Sequence, residues 1–129
     1  MRQPRAQWGI WSALLLATSL APGCAPVLLA TGAVVGFAVS RDSVTIDLDR
    51  PWQEVWTASL EETSHLGRIK REDRQRGRID AQIQGADVVV TLESLTPSTV
   101  RLVVRARKNL LPKVDIAQRV GVGIARRVG

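Results

Sequence analysis

Few side chains in this 129-residue chain combine the types and spacing that catalysis requires. His65 is the only histidine and Cys24 the only cysteine, and neither has a partner at the spacing of a catalytic motif. Because a cation is favoured at the C-terminal end of a helix, His65 is interpreted as a capping or surface residue. The sequence has no Cys/His cluster for zinc, no phosphate-binding glycine loop and no paired metal-binding carboxylates. It therefore predicts a protein that is not an enzyme and that needs no metal or cofactor.

Two tryptophans could contribute to a binding site. Trp52 and Trp56 are four residues apart, which places both on the same face of a helix. One interpretation is that this face packs into the core. The alternative is an apolar groove between helix and sheet, with the two rings at its edge and a small ligand inside.

Basic residues form the third candidate site. They occur in a cluster around residues 68–78 and again on a later segment with alternating arginines, and they could share one outward face of a sheet. One interpretation is a solvated face, since Glu72 and Asp73 lie among them; the other is a surface for an anionic partner. Nucleic acid is not expected, because no reading motif or aromatic platform accompanies the charges. The candidate residues are Arg68, Lys70, Arg74, Arg76, Arg78, Arg101, Arg105 and Arg107.

The charges are distributed very unevenly along the chain. The net charge is +6, yet residues 6–40 contain no charged side chain. Arg2 and Arg5 precede an apolar run over residues 8–21, which is the pattern of a secretory signal peptide. The run is shorter than the roughly 20 residues that a membrane span needs. Ordinary secretory cleavage and a retained membrane anchor are the alternatives.

The end of this apolar run contains the only cysteine. Leu20-Ala21-Pro22-Gly23-Cys24 resembles the lipobox of bacterial lipoproteins. That resemblance implies cleavage before Cys24, lipidation of its thiol, and attachment to a membrane through the lipid. It gives a signal peptide over residues 1–23. Residues 24–41 are then interpreted as a Gly/Ala-rich apolar tether, with a short membrane-embedded helix over 27–39 as the alternative.

The charged remainder, residues 42–129, is predicted to be one small α+β domain. Val44, Ile46 and Leu48 alternate with polar residues and indicate a half-buried strand. A helix is predicted over 51–66, four strands over 68–73, 78–84, 88–93 and 100–106, and a last helix over 112–128. The element order is β-α-β-β-β-β-α, a mainly antiparallel sheet with both helices on one face.

The alternation also predicts the register of the strands. Keeping even-numbered residues inward on the last two strands pairs Leu92 with Leu102 and sets Glu93 opposite Arg101, which are opposite in charge. For the preceding hairpin, the same reasoning pairs Ile83 with Val88 and sets Arg78 opposite Glu93.

Nearly the whole chain resembles a family of small bacterial lipoproteins that has no assigned activity. The resemblance rests on Cys24-Ala25-Pro26, the entry Leu48-Asp49-Arg50-Pro51 to the first helix, and the strand start Gly77-Arg78-Ile79. The element order is also similar to the helix-grip modules of lipoproteins in outer-membrane assembly. The resemblance implies a lipid-anchored envelope protein, on the outer membrane and facing the periplasm, with a binding or structural role. Its partner would be an envelope protein or an anionic lipid or glycan. The alternatives are a carrier or sensor for a small apolar or anionic ligand, and an uncleaved membrane-anchored protein.

Overall fold

A computed structural model describes residues 33–129. These residues form an antiparallel sheet with two helices, so the predicted α+β class is confirmed. The predicted signal peptide over 1–23 and the predicted lipidation site Cys24 lie outside the described residues. The elements are β1 (Val34–Val39), β2 (Ser43–Leu48), α1 (Trp52–Leu66), β3 (Arg68–Asp73), β4 (Arg78–Ile83), β5 (Ala86–Thr96), β6 (Thr99–Lys108), β7 (Leu111–Pro112) and α2 (Val114–Val128).

The strands lie in the order β1-β2-β6-β5-β4-β3, and every neighbouring pair is antiparallel. The short strand β7 pairs with the last two residues of β6. The two longest strands, β5 and β6, therefore lie at the centre of the sheet, and β1 and β3 form its edges.

The core lies between one face of the sheet and the two helices. The predicted alternation is observed, because the even-numbered residues over 44–48, 86–92 and 100–106 are buried. Helix α1 contributes Val55 and Trp56, and helix α2 contributes Val120 and Ile124. Fully burying an aliphatic side chain of this size stabilises the fold by about 1.5–3 kcal/mol before the entropy cost of folding. This layer fixes which face of the sheet remains open.

Helix α2 lies close to the sheet because of a glycine. A Cβ atom on Gly121 would lie 3.0 Å from Cδ1 of Ile46, closer than side chains normally approach. The two helices are also joined by Arg127, whose Nη1 lies 3.4 Å from Oε2 of Glu61. Arg50 donates from Nε to the carbonyl of Val128 at 2.9 Å and so ties down the end of α2.

The predicted register is correct for one hairpin and wrong for the next. Leu92 pairs with Leu102 and Glu93 lies opposite Arg101, as predicted for β5 and β6. In the β4–β5 hairpin, however, Ile83 pairs with Ala86 and Arg78 lies opposite Thr91. The turn contains only Gln84 and Gly85, both with positive φ, and such a two-residue turn shifts the pairing by two residues without changing which side chains face inward.

The segment assigned to a tether differs from the prediction at its C-terminal end. Residues 34–39 form β1 and pair with β2, so they belong to the sheet and are not helical. The physical reason is that Val34 and Phe37 pack against the core, which gives this apolar stretch a place in the domain. The last helix begins at Val114 and not at residue 112, because Leu111 and Pro112 pair with β6. Neither helix of residues 33–129 is long and apolar enough to cross a membrane.

Candidate anion-binding face

The two tryptophans lie on the helix side of the sheet. Trp56 is only 2% exposed and belongs to the core. Trp52 is half-buried, and its ring stacks on that of Trp56 with centroids 5.2 Å apart and planes 10° apart. The guanidinium of Arg74 lies 5.5 Å from the centre of the Trp52 ring. This arrangement places Trp56 in the packed core, and it leaves only Trp52 partly accessible to a ligand.

The opposite face of the sheet has no helix over it within residues 33–129. Odd-numbered residues of β5 and β6 point to this outer face, because their even-numbered neighbours point into the core. The face combines half-buried β-branched side chains with a rim of charged ones. The outer face therefore carries uncharged side chains together with acidic and basic ones, and most of the basic ones are arginines.

An open concavity of about 650 Å³ occupies the centre of this outer face. Strand pairing explains how it forms: Val89 lies opposite Arg105, Thr91 opposite Val103, and Asp87 opposite Arg107. Arg78 reaches it from β4, where it lies opposite Thr91. The lining residues are Arg78, Asp87, Val89, Thr91, Val103, Arg105, Arg107, Asn109 and Leu110.

Most charged groups around the concavity are already paired. Nε of Arg78 lies 2.9 Å from Oδ1 of Asp80, and Nη2 of Arg107 lies 3.4 Å from Oδ2 of Asp42. The Asp87 carboxylate lies 3.1 Å from the ammonium of Lys70. Pairs as exposed as these contribute little to stability and can exchange partners at low cost.

Arg105 differs from the other arginines of the concavity. It is exposed, and it forms no ion pair with a carboxylate of the described domain. Asp87, the acidic residue that lines the same concavity, lies against Lys70. Arg105 thus presents a guanidinium that can accept an anion without first losing an intramolecular partner.

Arg101 lies on the same strand and face but has a structural role. Its Nε and Nη2 donate to the two carboxylate oxygens of Asp47 at 2.8 and 3.0 Å, with Glu93 on the opposite side. The hydrogen bond and charge of Asp47 raise the pKa of Arg101 above its ordinary value. This two-point contact joins β6 to β2 across the outer face.

The remaining basic residues of the predicted set are dispersed. Arg68 lies on the edge strand, with Nη2 3.5 Å from Oε1 of Gln82. Arg74 lies over Trp52 and donates to Gln53, on the other side of the molecule. Arg76 is in the β3–β4 turn, where its Nε lies 3.6 Å from Oδ2 of Asp73. The structure therefore brings Lys70, Arg78, Arg105 and Arg107 together and leaves Arg74 and Arg76 elsewhere.

His65 is exposed in the last turn of α1, which agrees with its interpretation as a surface residue. No group of three or more His, Cys, Asp or Glu side chains in the part of the chain that the structure describes could hold a metal ion.

The β-branched residues of the concavity were not predicted from the sequence. Val89, Thr91 and Val103 follow from the same alternation that predicted the core, since they are the outward positions of β5 and β6. The sequence-based prediction of this face rested on charged residues and therefore did not include these three. Leu110 had no comparable signal, because it lies in a turn that the pattern did not predict.

Comparisons with known proteins add no function to this description. No protein-family model matches the chain, and no curated protein matches it. Among solved structures, it is similar to a conserved protein of unknown function from Enterococcus faecalis, with 11% identity and a TM-score of 0.43. That alignment covers 72% of this chain and 75% of the other.

Proposed function

We propose that this chain is a lipid-anchored protein of the bacterial envelope, attached through Cys24 and facing the periplasm on the outer membrane. Its domain has a binding role and no catalytic one. The anchor is supported by the lipobox-like sequence before Cys24 and by the resemblance to small bacterial lipoproteins. Ala25 after the cysteine favours the outer membrane, because the aspartate typical of inner-membrane retention is missing.

The proposed binding site is the concavity on the outer face, and its ligand is a negatively charged component of the envelope. One observation carries this proposal: Arg105 lies in an open concavity, between Arg78 and Arg107, without a carboxylate of its own among residues 33–129. The β-branched side chains beneath it supply apolar contact. An exported protein meets lipid headgroups, glycan phosphates and acidic proteins far more often than nucleic acid.

Reversal of one charge tests the site. We expect Arg105→Glu to weaken binding of the full-length protein to lipopolysaccharide or peptidoglycan by about tenfold at low ionic strength, since one charge-assisted contact is lost and a repulsion is added. The matched control is Arg126→Glu, which makes the same change at an exposed position of α2.

Binding is measured by co-sedimentation with peptidoglycan and by titration with lipopolysaccharide, at low and at high salt. Equal loss in both variants would mean that only net charge matters, and no loss in either would remove the concavity as the site.

A further inference from the structure

Two hairpins at one end of the sheet use the same kind of turn but different residues. The β4–β5 turn is Gln84-Gly85 and the β6–β7 turn is Asn109-Leu110, and all four residues have positive φ. A glycine suits the second position, and Gly85 occupies it with φ of 77°. In the other turn, Leu110 occupies the corresponding position with φ of 67°. Leucine is disfavoured there, because its Cβ crowds the backbone.

Packing does not compensate for this unfavourable conformation. Leu110 is 89% exposed, and Leu111 beside it is 63% exposed. The two leucines form an apolar tip at the end of the molecule. A residue that breaks a local conformational rule without a contact in return is expected at functional sites.

Basic residues surround this apolar tip. Lys108 directly precedes the turn, and its ammonium lies over Gly85. Arg107 and Arg105 lie further from the tip along β6. The acidic groups at this end, Asp42 and Asp87, contact Arg107 and Lys70. The opposite end of the sheet also has an exposed leucine, Leu95, but there Glu93 is the neighbouring charge and Arg101 is held by Asp47. Within residues 33–129, this is therefore the one end of the sheet that combines exposed leucines with cations in excess.

We propose that the β6–β7 turn inserts Leu110 and Leu111 into the surface of an anionic bilayer, with Arg107 and Lys108 at the headgroups. Apolar side chains beside cations are the composition that favours the membrane interface, where each basic residue adds attraction to anionic lipid. In this turn conformation the Leu110 side chain is 89% exposed and therefore accessible to a bilayer. This contact extends the proposed binding role to a bilayer: Leu110 and Arg107 also line the concavity, but insertion rests on the exposed side chains of Leu110 and Leu111.

The position of the tip is compatible with a lipid at Cys24 in the same bilayer. The chain enters the sheet at Val34, which pairs with Leu48 and so lies near Val100, the far end of β6 from the tip. Lys108 is eight positions after Val100 along β6, a distance of about 26 Å. The nine residue-to-residue steps from Cys24 to Ala33 can extend over about 30 Å. Both contacts can therefore reach one membrane surface when the sheet lies along it.

A spin label distinguishes insertion of the tip from general membrane attachment. The full-length chain has a single cysteine, so Cys24→Ser combined with Leu110→Cys gives one labelling site. We expect the uncleaved apolar leader to keep this variant on vesicles, so that the labels report the depth of the tip and not attachment alone. The matched control is Cys24→Ser with Ser98→Cys, which labels the exposed β5–β6 turn at the other end of the sheet.

The depth of each label is measured from its relaxation by oxygen and by a water-soluble nickel complex. In vesicles of phosphatidylglycerol and phosphatidylethanolamine, we expect the label at 110 to favour oxygen and the label at 98 to favour the nickel complex. Adding Leu111→Asp should return the label at 110 to water. The proposal would be overturned if both labels were in water or if both lay at the same depth. It would also be overturned if the label at 110 inserted equally deeply in vesicles of phosphatidylcholine alone.

A stability measurement separates the tip's function from its folding. Because glycine is favoured at this turn position, Leu110→Gly should leave the melting temperature unchanged or raise it. Loss of insertion in a variant that is at least as stable supports a role for Leu110 in membrane contact. A clear fall in melting temperature would show instead that the leucine is needed for the fold, and would contradict the inference.

Discussion

Arg101 shows at the scale of single residues how the sheet uses its charges. The carboxylate of Asp47 accepts two hydrogen bonds from its guanidinium, and Glu93 lies opposite on the other neighbouring strand. Its charge is thus committed to joining strands, while the charge of Arg105, four residues later, is open to a ligand. Two arginines of one strand therefore have different roles because their neighbours differ.

Arg101→Glu and Arg71→Glu make the same charge reversal at two different positions of the sheet. The first variant places a carboxylate between Asp47 and Glu93, whereas the second changes an exposed residue opposite Asp80 on the edge strand. We expect Arg101→Glu to have the lower melting temperature, measured by circular dichroism at low salt. Equal melting temperatures would contradict the assigned role of Arg101.

The two tryptophans should contribute unequally to stability. Trp56 is buried in the core, so Trp56→Ala is expected to lower the free energy of unfolding by about 3–5 kcal/mol. Trp52→Ala should cost clearly less, because that ring is half-buried while Trp56 is fully inside the core. Urea unfolding of both variants checks this order. A small loss for Trp56→Ala would restore the groove between helix and sheet as a candidate binding site.

At the scale of elements, alternation predicted the strands well and the turns poorly. The inward residues of β2, β5 and β6 follow from a period of two, and the observed pairing of Glu93 with Arg101 confirms the predicted register of β5 and β6. The β4–β5 register was wrong by two residues, because alternation is unchanged by such a shift. The register of this hairpin is determined by the length of the Gln84-Gly85 turn. The alternation of inward and outward residues contains no information on turn length.

Strand β1 is the element that the sequence concealed. Its composition is apolar throughout, with no alternation of polar residues, and it directly follows an apolar leader. Its place in the sheet depends on Phe37 packing against the core opposite Ile46, a contact between segments that no local pattern shows.

A pair of substitutions tests whether β1 is part of the domain. Phe37→Asp should lower the free energy of unfolding by about 2 kcal/mol or more, because it removes core packing and places a charge there. Val35→Asp should have little effect, since Val35 is 60% exposed. Denaturant unfolding of both full-length variants gives the comparison. If neither variant changes stability, the segment acts as a tether.

At the scale of the whole molecule, the fold explains why the proposed binding face is open. Both helices cover one side of the sheet, so the basic and β-branched residues of β5 and β6 remain uncovered on the other. The sequence predicted the basic residues but not the concavity, because the concavity depends on how the strands pair. Arg78 lies opposite Thr91 on the outer face, whereas Arg74 lies over Trp52 and Arg76 pairs with Asp73 in the turn. The exposed turn at Leu110 could not be predicted from the sequence either, because it depends on the φ angles of Asn109 and Leu110.

The central claim is that this domain is held at a membrane by a lipid on Cys24. The most direct test is the intact mass of the protein extracted from membranes, beside a Cys24→Ser variant. We predict a mass that begins at Cys24 and includes acyl chains, with the variant left unprocessed and without lipid. A full-length mass without lipid would contradict the account and would make the apolar N-terminal segment a retained anchor.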